Sequence, residues 1–146
     1  MREARRPAWY HAGVADEVAG RFDMISTVLA LVLIRLEEDR AHADDCAALT
    51  ELFIAEMDAQ LRQEGVGDLI VGKHMGKLIA VLGGRARALR EALGADDATA
   101  LQGFVTRNIT LAPDGQSDAV ARELGRLAAR LAQTGNAALL CGDLGE

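Results

Sequence analysis

The residues with chemistry to offer are few, and most of them fail on spacing. Gly67-Asp68-Leu69-Ile70-Val71-Gly72-Lys73 fits the first seven positions of a phosphate-binding loop, where backbone amides and a lysine cradle phosphates. His74 then stands where a serine or threonine would hold magnesium. No strand pattern precedes the run, and Leu69, Ile70 and Val71 line a phosphate cradle poorly. The stretch reads as a helical corner instead. His11, His42 and His74 share no ligand spacing with one another or with Cys46 and Cys141, so no metal or other cofactor is expected. Glu51, Glu56 and Asp58 could pair as acid and base, but they lie off their helix's apolar stripe with no neighbour to shift a pKa. Ser26 and Ser117 have no base at hand. The chain is not expected to be an enzyme.

What remains is charge. Lys73, Lys77, Arg87 and Arg90 fall within an arc of roughly 140° on a helical wheel. They lie opposite Val71, Met75, Leu78, Leu82, Ala86, Leu89 and Leu93. Between Arg62 and Arg90 the chain is net +4, while the remainder carries −10 of the total −6. Charge segregated in this way points to an anionic partner: lipid headgroups, ribosomal RNA or acidic protein segments. A pI of about 5.1 argues against DNA.

Two blocks carry a resemblance. The first is Pro7-Ala8-Trp9-Tyr10, then Gly13-Val14, Asp16 and Gly20-Arg21-Phe22-Asp23-Met24. The second is Met57-Asp58, Leu61-Arg62, Gly65-Val66-Gly67-Asp68, Val71-Gly72-Lys73 and Lys77. Together they resemble the ubiquinol–cytochrome c chaperone family, from about Pro7 to Thr110. The resemblance implies an assembly factor for the cytochrome bc respiratory complex that binds newly synthesised cytochrome b. It also implies contacts with a small helical partner protein, the ribosome or an anionic membrane surface. The protein would then be cytoplasmic and peripheral at the inner membrane. Partner-binding residues expected from the blocks and the basic face are Lys73, Lys77, Arg87, Arg90, Asp68, Trp9 and Tyr10. The family pattern has an aromatic before a single glycine where this chain has Gly83-Gly84. A competing reading is a helical module that holds a lipid or quinone in an apolar cavity of a few hundred Å³, near Gly76, Gly83 and Gly84.

The elements that must position these residues all read as helix. At 146 residues the chain is long enough for one domain with its own core. Only 3% of residues are aromatic, so alanine, leucine and valine do the packing. Pro7 is expected to stop any helix at the N-terminus. Trp9 and Tyr10 plug one end of the core, or else anchor a partner. Asp16 is the expected N-cap of a helix to about Arg40, apolar over roughly 200° and so central. Asp44 or Asp45 caps a second helix, with Cys46, Leu49, Phe53, Met57 and Leu61 as its stripe. Gly65 and Gly67 turn the chain into a helix from Asp68 to Leu93, which Gly83-Gly84 interrupts. Asp96 or Asp97 starts the next, and Ser117 caps the last, whose stripe is Val120, Leu124, Leu127 and Leu131. The fold class is all-α, a compact bundle of five to six helices around the apolar one. Thirteen apolar-rich residues from Met24 to Leu36 fall short of the roughly 20 a membrane span needs. No apolar run follows the N-terminal arginines, so no secretory signal is expected there.

Overall fold

The computed structural model describes residues 2–63, 68–95 and 97–145, with 61 and 68–74 as backbone alone. The expected corner at Gly65 and Gly67 lies outside the described residues. Among those described are seven α-helices and two 3-10 turns. Five helices are long and match the expected bundle. The two short ones fall where no helix was expected.

The 3-10 turn Glu3–Arg5 ends before Pro7 as expected, with Arg6 extended, and Pro7 then opens the first short helix, α1 (Pro7–Ala12). At the first helical position its fixed φ suits the helix and its missing N–H costs nothing. Gly13, at φ 127°, ends the helix by donating its N–H to the Trp9 and Tyr10 carbonyls. The central helix α2 runs Val18–Leu36, with Met24, Ala30, Leu31 and Leu36 fully enclosed. Asp16 does not cap it. Glu17 holds that position without a side-chain bond, while Asp16 accepts from Arg21 Nε at 2.8 Å. The helix stops short of Arg40 because Asp39 turns the chain into a 3-10 turn, Arg40–His42, by accepting from the Ala41 N–H.

Helix α3 (Ala43–Gln63) buries Cys46, Phe53, Ile54 and Met57. Helix α4 (Asp68–Gly94) passes through Gly83 and Gly84 without a break, contrary to expectation. The backbone ladder survives because glycine costs about 1 kcal/mol in a helix and does not forbid it. Only the middle of its predicted stripe is enclosed: Leu82, Ala86 and Leu89 are buried, while Met75 and Leu93 are exposed. Helix α5 (Ala98–Asn108) is capped by Asp97 as expected, which accepts from the Thr99 N–H at 2.8 Å. Helix α6 (Ser117–Gln133) buries its whole predicted stripe. Ser117 is its first residue, not its cap, and its hydroxyl instead accepts from Gln102 Nε2 at 3.2 Å. The tail forms α7 (Asn136–Leu140) and docks through buried Leu139.

Helix α4 packs on α2, α3 and α5, and α5 packs on α6. The bundle is tied where two connections cross. Val14 and Leu111 form an antiparallel bridge, with Ala15 N–H donating to the Thr110 carbonyl at 3.0 Å and Ala112 N–H to the Gly13 carbonyl at 2.9 Å. Glycines permit the crossing. A Cβ on Gly115 would lie 2.2 Å from the Gly13 oxygen, and one on Gly20 would lie 2.0 Å from the Ala15 oxygen. No described helix is long and apolar enough to cross a membrane.

Candidate interaction surface

Beside that crossing sits an ionic knot. Asp23 on α2 and Arg85 on α4 are each 8% exposed. Arg85 Nη2 donates to the Asp23 carboxylate and to the Asn108 carbonyl, the latter at 2.9 Å. Its Nη1 donates to the Asp23 carbonyl at 2.9 Å and to the Ser26 hydroxyl. The other Asp23 oxygen accepts from the Thr110 N–H at 2.8 Å and its hydroxyl at 2.7 Å. The guanidinium also lies 5.7 Å from the centre of the Phe22 ring. Both charges are therefore matched and hydrogen-bonded, as buried charges must be. The knot binds α2, α4 and the α5–α6 connection together and leaves no group free for proton transfer. Sequence reasoning missed it. Arg85 counted only toward the positive charge of α4, and Asp23 falls outside the roughly 200° apolar arc of α2, on the side a helical wheel leaves to solvent.

The outer wall of the knot is a groove of about 530 Å³ between Ala80, Val81 and Gly84 on one side and Arg107 and Thr110 on the other. The competing reading placed an apolar cavity near Gly76, Gly83 and Gly84. The groove there is floored by Asp23 and Arg85 instead, and a Cβ on any of the three glycines would meet nothing within 4 Å.

The expected basic face is partly neutralised. Lys77 is exposed with no partner among the described residues. Arg87 pairs with Glu91 at 3.2 Å, and Arg90 pairs with Glu37 of the α2 C-terminus. The side chains of Asp68 and Lys73 lie outside the described residues. Trp9 is buried, with its indole N–H donating to the Glu3 carbonyl at 2.9 Å. That is the plug of the two readings offered for it. Tyr10 is half-buried and its hydroxyl donates to the Ala4 carbonyl at 3.3 Å.

Tyr10 also lines a larger groove, about 860 Å³, between α1, α2, α3 and α4. Val18, Phe22 and Ile25 of α2 form its floor, and Met57 of α3 and Leu78 of α4 its far wall. Tyr10, Arg21 and Phe22 belong to the first sequence block and Met57 to the second, so residues far apart in the chain converge here. A second groove of about 700 Å³ continues from Ile25 along Val28, Leu29 and Val32, walled by Leu49 and Leu52 of α3. Val18 is 79% exposed and Leu52 63%. Cys46 sits behind this wall; burial, helped by Glu37 and Asp45, raises its thiol pKa. It is a packed thiol rather than a reactive one.

Fold and surface together define an all-helical protein with a matched ionic core and open apolar grooves. Residues 10–144 match the family model described as ubiquinol-cytochrome C chaperone, and the chain belongs to that family. The crystal structure of the Cbp3 homolog from Brucella abortus is similar at TM-score 0.79 and 31% identity, over 97% of this chain and 81% of that one. No curated protein matches.

Proposed function

We propose that this chain is a non-enzymatic assembly factor that binds newly made cytochrome b and assists assembly of the cytochrome bc complex. The observation that carries the reading is the meeting of both sequence blocks at one open apolar groove. A chaperone needs apolar surface held in solvent on a rigid frame, and large exposed apolar patches mark such contacts. The ionic knot and the glycine crossing supply the frame behind the groove. Lys73 and Lys77, with Asp68, Arg87 and Arg90 nearby on α4, offer a second contact for anionic headgroups or the ribosome. The site of action would be the cytoplasmic face of the inner membrane.

A deletion strain assayed for cytochrome b tests the reading. Complementation with the wild-type gene should restore the cytochrome, and Val18→Asp should not. Lys73→Glu/Lys77→Glu should change stability by no more than about 0.5 kcal/mol, as most surface substitutions do, yet lower cytochrome b. Normal cytochrome b in the deletion strain would refute the assembly role. Full activity of the lysine pair variant would confine binding to the groove.

A further inference from the structure

The two grooves follow one another along α2. Val18, Phe22 and Ile25 face the first, and Ile25, Leu29 and Val32 the second. Their spacing of four, three, four and three is that of a seam that receives the side chains of another helix. From Val18 to Val32 the seam rises about 21 Å, the length of roughly 14 helical residues. The two most exposed large apolar side chains of the described residues, Val18 and Leu52, line the first and the second groove respectively.

The lips differ in charge. Arg2 and Arg5 on the N-terminal side are exposed and have no ion-pair partner among the described residues. Their neighbours Arg6 and Arg21 are already paired, with Glu3 at 3.3 Å and Asp16 at 2.8 Å. The α3 lip carries exposed Glu56, and exposed Asp143 of the C-terminal tail lines the same groove. An acyl chain carries charge only at its end and has no use for unlike lips. A helix with different flanks matches both.

We propose that the seam receives an amphipathic helix of another protein, with its apolar stripe on α2 and α3 and carboxylates along the edge that meets Arg2 and Arg5. This rests on the reading that the grooves hold a protein client or partner. The probe is a fluorescent synthetic peptide of about 18 residues, with leucines at three- and four-residue spacing and glutamates on one flank. A twin carries lysines instead. The glutamate peptide should bind the full chain at least about tenfold more tightly than its twin, and less tightly as salt rises. Arg2→Glu/Arg5→Glu should reverse that preference. Val18→Asp and Leu52→Asp should each abolish binding while leaving the thermal melt intact, since both sites are exposed.

Equal binding of the two peptides, or binding indifferent to Val18→Asp and Leu52→Asp, overturns the proposal. So does displacement of the peptide by anionic lipid vesicles at matched concentration, or self-association of the chain that Val18→Asp abolishes. If neither peptide binds yet Val18→Asp loses cytochrome b in cells, the helix proposal falls and the assembly reading stands. If the peptides behave as expected but Val18→Asp supports full cytochrome b, the helix site stands and the assembly reading falls.

Discussion

Asp23 stabilises the fold only in company. Its carboxylate answers Arg85 and Thr110 at once, so Asp23→Ala leaves a buried guanidinium without its counter-charge. Breaking a buried pair from one side costs about 3–5 kcal/mol, read as a fall in the urea midpoint at unchanged slope. Asp23→Ala/Arg85→Met should recover part of that loss, because the orphaned charge is gone. Asp97 makes a different, pH-dependent contribution. Hydrogen bonds from the Thr99 hydroxyl and N–H hold its pKa below the ordinary 3.8. A carboxylate depressed in the folded state stabilises fully above its unfolded pKa and loses that stabilisation as pH falls through the folded one. The melting-temperature gap between wild type and Asp97→Ala should therefore be constant from neutral pH to about pH 5. It should then narrow at pH values below 3.8.

At the scale of elements, glycines in helices and glycines at the crossing should respond with opposite sign. Gly84 faces open space, so Gly84→Ala should raise stability by roughly 0.5–1 kcal/mol through helix propensity. Gly115→Ala would press a methyl against the Gly13 backbone oxygen and should cost about 1–3 kcal/mol by overpacking. Thermal melts of the two variants decide the point. The same contrast explains what could be read from the sequence. Helix α6 was plain, because Val120, Leu124, Leu127 and Leu131 repeat on one face and nothing competes. Helix α1 was not, because proline ends a helix when it follows one and favours it when it comes first. Pairing across elements was hidden by distance along the chain: Arg90 finds Glu37 at 53 positions' separation and Arg85 finds Asp23 at 62. Periodicity reports which face a helix buries, but not which arginine among several is drawn inward. The grooves escaped for a related reason, since an apolar residue such as Val18 reads as core whether or not anything covers it.

For the whole molecule, the chain is acidic overall, and Arg2 and Arg5, without ion-pair partners among the described residues, lie on one lip. Raising salt should thus weaken partner binding while leaving the fold, held by buried apolar contacts, little changed. The crossing of the two connections has a further consequence, in time. Thr110 lies 87 positions after Asp23, whose carboxylate it completes. At roughly 5–20 residues per second, a ribosome needs about 4–17 s to travel between them. Through that interval α1 lacks α6, on which it packs. The chain's single tryptophan, Trp9, reports the event. A version ending at Asn108 should show red-shifted, solvent-exposed emission and rapid proteolysis near Trp9, where the complete chain shows blue-shifted emission and protection. The second groove, lined in part by Leu139 and Leu144, would be completed last, so a chain still on the ribosome would lack that part of the finished site.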